Sequence, residues 1–194
     1  MMRTKISWMI AFLAVGFVTV AAPKDADALL RLGVDALWIP LATQTIEEDG
    51  VVLDSNHELA SFGASAHGAI GFDIFALGLK ANYFNSAISL PGETTRLEQV
   101  DLNLYGRVGF PTTDLAVFVE GGVTTNPELD YAGYNGGLGL TYDLAGKPFF
   151  DLNLGVMGQY INVAETEALL EDEQWAPSLS QGRLMVFLGM DFSI

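Results

Sequence analysis

Ten ionisable side chains set the chemical possibilities of this 194-residue chain. Arg31, Asp35, His67, Lys80, Asp101, Arg107, Glu120, Asp151, Arg183 and Asp191 all fall on stretches in which every second residue is apolar, and each takes the interleaved position. A period of two marks a β-strand with two unlike faces, so the ten would share one face of a sheet. Where such a face encloses a confined interior, the charges have to pair, because a buried charge without a partner is costly. Paired, they form either a polar plug that staples the interior or a gate whose pairs exchange partners to open a narrow ion path.

A second set of residues is uniformly acidic. Glu47, Glu48, Asp49, Asp54 and Glu58 fall in one link, and Glu93 and Glu98 flank Arg96 in another. Glu128 and Asp130 follow, then Glu165, Glu167, Glu171, Asp172 and Glu173. These four links hold fourteen acids against one arginine and carry most of the net charge of −15. Such a field favours cations or basic partners and repels nucleic acid. Divalent cations would suit it. However, Glu47-Glu-Asp-Gly50 lacks the alternating ligand spacing of a Ca²⁺ loop, so the acids are read as a solvated rim with no specific metal site.

Other chemistry is poorly represented. The histidines are His57 and His67, and neither sits in a legible set of nucleophile, base and orienting group. No enzyme is expected, and no cofactor. The glycine run Gly133-Tyr-Asn-Gly-Gly-Leu-Gly139 lacks the Lys-Ser/Thr and the strand-to-helix context of a phosphate loop. Cysteine is absent, which removes disulfides and thiolate metal sites.

The elements that must position these groups are strands. Eight alternating segments are predicted at about 29–42, 60–73, 75–86, 97–110, 115–126, 131–143, 148–163 and 181–194. Tight turns are expected at Asp73-Ile74, Pro111-Thr-Thr-Asp114 and Leu144-Ala-Gly-Lys147. Long polar links are expected at 43–59, 87–96 and 164–180, with a brief one at 126–130. The stretch Glu165–Trp175 has the pattern of a short amphipathic helix that would cap the mouth. The clearest strand is the last, where Leu184, Val186, Leu188, Met190, Phe192 and Ile194 alternate with a mixed, partly charged set.

None of the residues on the apolar faces is charged. A soluble barrel would show the reverse polarity, with an apolar interior and a polar exterior. Aromatic residues bunch at the strand ends. Phe72, Phe75, Phe110, Tyr142, Phe149 and Phe192 lie near the turns, and Trp38, Tyr83, Tyr131, Tyr134 and Tyr160 near the links. Two girdles of this kind are selected at lipid headgroup level. The N-terminus reads as a secretory signal over 1–28, with a basic start at Arg3 and Lys5 and an apolar run from Ile6 to Ala22. Cleavage after Ala22 or after Ala28 is compatible with the small residues there, and 29–194 remains as the barrel.

In this architecture and in the terminal strand Gly182–Ile194, the chain resembles the small eight-stranded outer-membrane barrels of the OmpX and OmpA transmembrane-domain type. The resemblance covers essentially all of 29–194. It implies an all-β, antiparallel, up-and-down transmembrane barrel in the cell outer membrane, in contact with lipid and lipopolysaccharide and present as a monomer. It also implies insertion by the barrel-assembly machinery, with Phe192 and Ile194 in the terminal signal. That signal usually ends in Phe, whereas here Ser193-Ile194 follow Phe192. The resemblance brings no catalytic residue and no cofactor. The expected role is structural or surface-interacting, with a charged, plugged lumen. The alternative is a narrow pore or small-solute channel.

Overall fold

The computed structural model describes residues 29–48, 51–56, 61–72, 74–90, 93–125, 132–147, 150–163 and 178–194. The signal region 1–28, the predicted helix at 165–175, His57, Asp49, Glu171, Asp172 and Glu173 lie outside the described residues.

Among the described residues there are nine strands: β1 (Leu29–Glu48), β2 (Val51–Asn56), β3 (Ser61–Phe72), β4 (Phe75–Leu90), β5 (Glu93–Gly109), β6 (Leu115–Thr125), β7 (Ala132–Lys147), β8 (Phe150–Val163) and β9 (Ser178–Ser193). Each pairs antiparallel with its neighbour, and β9 pairs back onto β1, so the sheet closes on itself. The strands β2 and β3 form one stave. Gln44 pairs with Asn56 and Ile39 with Ser61, so the same register against β1 runs through both. The result is an all-β barrel of eight antiparallel staves.

Closure fixes the stagger. A walk round the barrel through paired residues runs from Gly33 to His67, Lys80, Asn103, Gly122, Asn135, Ile161 and Gln181. It returns to β1 at Gln44, eleven residues beyond its start, and one of those residues is the register shift between Trp38 and Leu41. That shift falls on Pro40, which has no N–H to give to a ladder. A stagger this large tilts the strands steeply, as a narrow closed barrel requires. The chain end completes the seam: Ile194 and Leu30 exchange backbone bonds at 2.9 and 3.1 Å.

Alternation decides the faces. Outward side chains form an apolar wall in which Leu104 is 71% and Leu77 65% exposed. Inward, Phe84, Phe118, Met157 and Met185 are fully buried beside buried Asp, Lys, Arg and Glu. Two glycines make room for this filling. A Cβ on Gly155 would overlap the Phe187 ring, and one on Gly33 would overlap His67 and Asp191.

The tight connection expected between Phe72 and Phe75 and the turn at Pro111–Asp114 form, although Asp73 itself lies outside the described residues. Phe72 pairs with Phe75 across the first, and the second is closed by Phe110 N to Leu115 O at 3.0 Å. Three expectations are corrected. Residues 144–147 are not a turn but the end of β7, beyond a bulge between Asp143 and Ala145 that breaks the period of two. The link 87–96 is largely an extension of the β4–β5 hairpin, with Leu90 paired to Glu93. Likewise much of 43–59 belongs to β1 and β2, so Glu47 and Glu48 lie on β1 and Asp54 on β2 instead of in a loop. Strand pairing persists where apolar alternation has stopped, because backbone hydrogen bonds do not need a buried face.

Candidate functional site

The interior holds a chain of charges drawn from seven of the eight staves. It begins near the turn end, where Arg107 of β5 grips Asp143 of β7 with bonds of 2.8 and 3.0 Å. The other Nη of Arg107 lies 3.7 Å from Asp191 of β9. Asp191 in turn faces His67 Nε2 of β3 at 2.9 Å, and His67 Nδ1 lies 3.9 Å from Asp35 of β1. From Asp35 the chain passes to Lys80 of β4 at 3.3 Å, and from Lys80 to Glu120 of β6 at 3.4 Å. The remaining stave, β8, lends Asn153 to the wall of the small cavity beside these groups.

Neutral groups complete the shell. Asn82 and Asn103 donate to Glu120 at 3.0 and 2.9 Å, and Ser65 donates to Asp35. Thus Glu120 is held from β4 and β5 while it rises from β6. Its side chain is fully buried, and the carboxylate would be unstable there without these donors. Lys80 is ringed by Tyr105, Phe118 and Phe187, whose centroids lie 5.8, 5.5 and 5.2 Å from its Nζ. Three ring faces with two carboxylates make a closely matched seat for one ammonium.

A second network lies towards the loop end. Asp101 is fully buried and accepts from Gln99 at 2.9 Å, Thr124 at 2.7 Å and Gln159 at 2.9 Å. Asn135 joins it through Thr124 and Gln159. Arg183 donates to Gln181 and Gln99 and stacks its guanidinium 4.9 Å from the Phe84 ring.

The predicted lumen residues therefore divide into groups. Asp35, His67, Lys80, Arg107, Glu120 and Asp191 meet in the chain of ion pairs, while Asp101 and Arg183 sit in the amide network. Expecting every charge to find an opposite charge is corrected at Asp101, whose carboxylate is held by two amides and a hydroxyl. Arg31 and Asp151 are half-buried at the turn end, beside the chain and within electrostatic reach of Asp191. Arg31 instead lines a pocket of about 140 Å³ with Arg107, Asp143, Phe75 and Phe110.

Asp143 is a member that the expected set lacks. Its signal was present, since Asn135, Gly137, Gly139 and Thr141 lead to it in steps of two. The amides Asn82, Gln99, Asn103 and Gln159 were also missed, because uncharged polar residues at inward positions carry no charge signal. Of the rim acids, Glu47 is exposed, and its backbone carbonyl accepts from Ser178 at 3.2 Å. At the seam, Phe192 faces outward and half-exposed, and Ile194 stands exposed beside it.

No known protein-family pattern matches the sequence. No curated protein is similar to it in sequence. Solved structures are similar in shape. The outer membrane protein OprG from Pseudomonas aeruginosa aligns over 87% of this chain and 96% of its own, at 16% identity and a TM-score of 0.52. The fold is that of a small outer-membrane β-barrel. Neisserial surface protein A covers 84% of this chain and 96% of its own, at 14% identity and a TM-score of 0.49. The outer membrane protease OmpT from Escherichia coli is more remote, at 7% identity and a TM-score of 0.36 over 91% of this chain and all of its own. The likeness to OprG speaks to fold alone. The uncharged outer wall of this chain matches the fold, for it is the surface a lipid bilayer requires.

Proposed function

We propose that the protein is a plugged outer-membrane barrel with a structural or surface-interaction role, acting through its acidic rim and not through its lumen. The observation that carries this is the filling of the interior. The ion-pair chain ties seven staves together, and the cavity beside it has about 10 Å³ of open space, roughly enough for one water. A hydrated ion needs more. The rim would meet basic partners or lipopolysaccharide bridged by divalent cations. The barrel acts as a monomer assembled by the barrel-assembly machinery, and we assign it no catalytic role.

Single-channel recording of refolded 29–194 in planar bilayers tests the reading, once heat-modifiable gel migration shows a folded barrel. A silent membrane is the expected result. Discrete steps in the wild type would overturn the plug. They would favour the second reading, a narrow pore, for which one observation speaks. Lys80 sits almost midway between Asp35 and Glu120, at 3.3 and 3.4 Å, within reach of either carboxylate. Steps altered by Glu120→Ala would assign conduction to exchange between the two.

A further inference from the structure

Histidine is the side chain that ordinarily changes charge near neutral pH, and His67 stands in the middle of the interior chain. Its position spans the place where the barrel closes. The residue belongs to β3, yet its ring crosses over β1 to reach Asp191 on β9. Gly33 of β1 lies beneath the crossing, and any side chain there would collide with both the imidazole and the Asp191 carboxylate. On its other edge, buried Nδ1 makes no hydrogen bond and points at Asp35 of β1 from 3.9 Å. One ring thus lies between two carboxylates, one on each strand of the β1–β9 seam.

We propose that His67 is a proton-operated clasp on this seam. As the imidazolium, with both nitrogens carrying protons, it attracts Asp191 and Asp35 together and ties β3 to β1 and β9. When one proton leaves, a nitrogen lone pair is left facing a carboxylate, and one arm of the clasp is lost. Asp35 of β1 and Asp191 of β9 lie against the His67 ring, with the Tyr105 ring 5.4 Å away; Lys80 of β4 pairs with Asp35, Arg107 of β5 with Asp191, and Arg31 of β1 also acts electrostatically on Asp191. Further along the chain Glu120 on β6 and Asp143 on β7 add two carboxylates, and Asp151 on β8 sits across from Asp191. The seven-residue chain holds four carboxylates and the fixed cations Lys80 and Arg107, and His67 lies between two of those carboxylates.

The sign follows. The clasp contributes while His67 is doubly protonated, and its contribution is lost as pH rises. It operates in a plug and in a pore alike, so it does not depend on conductance. The test is backbone amide exchange on refolded 29–194 in lipid vesicles between about pH 5 and 8, comparing seam amides of Asp35 and Gly189 with Val119 and Leu138 of β6–β7. In the wild type the seam amides should lose protection by about tenfold relative to that reference as pH rises. In His67→Gln the differential should vanish. Equal responses at seam and reference, or a differential that survives in His67→Gln, would overturn the clasp. Should His67→Gln not fold, imidazole nitrogen shifts of the wild type decide. Both nitrogens protonated at the acid end support the clasp, and a neutral ring throughout refutes it.

Discussion

At the residue scale the interior is a problem of desolvated charge. Burying an ion pair adds little to stability, whereas removing one partner leaves a charge in a place without water. Glu120 shows this most sharply, since Lys80, Asn82 and Asn103 all depend on its two oxygens. Glu120→Ala should destabilise the refolded barrel by about 3–5 kcal/mol, measured by urea unfolding in vesicles. Glu120→Gln should lose less, because an amide oxygen still accepts from the asparagines. Loss of less than about 1 kcal/mol in Glu120→Ala would mean that this carboxylate does not hold the interior. The charged members of the site were legible as charges at inward positions of a period-two pattern. Which of them touch was not legible, because contact across a barrel depends on stagger and not on spacing along a strand.

Among the elements, β9 carries the most consequence. It supplies Asp191 to the ion-pair chain, packs Phe187 against Gly155, and bonds its last residue to Leu30. Its outer face ends in Phe192 and Ile194. Removing 192–194 should cost the closing bonds between Ile194 and Leu30 together with two apolar contacts at the rim. The expected outcome is slower folding into vesicles and loss of the compact, heat-modifiable gel band. Unchanged migration and folding rate would show that closure is secured higher along the β1–β9 ladder. Strand number and order were readable from alternation and turn residues, but strand length was not. The upper parts of β1, β4 and β5 leave the apolar wall and continue as paired backbone, for which side-chain pattern gives no sign. At β7 the bulge after Asp143 shifts the alternation, so the sequence pattern stops four residues before the strand does.

For the whole molecule the governing fact is inverted polarity, apolar outside and charged within. Leu138 stands midway along β7 between the exposed rings of Tyr134 and Tyr142, where the bilayer is driest. Leu138→Arg should therefore cost about 2–4 kcal/mol in vesicle unfolding, whereas an arginine near either girdle should cost about 0–1. Equal costs at both depths would be inconsistent with a membrane-spanning wall. The sequence by itself determined the class of fold, the two faces of each strand and the reversed polarity. Each of these is a local consequence of the two-residue period of an extended chain and of the solvent each face must meet. Only the tertiary structure decided which charges meet. Rolling eight staves into a closed cylinder with a stagger of about ten residues brings Asp143, Arg107, Asp191, His67, Asp35, Lys80 and Glu120 into one line, and no spacing within a single strand encodes that stagger.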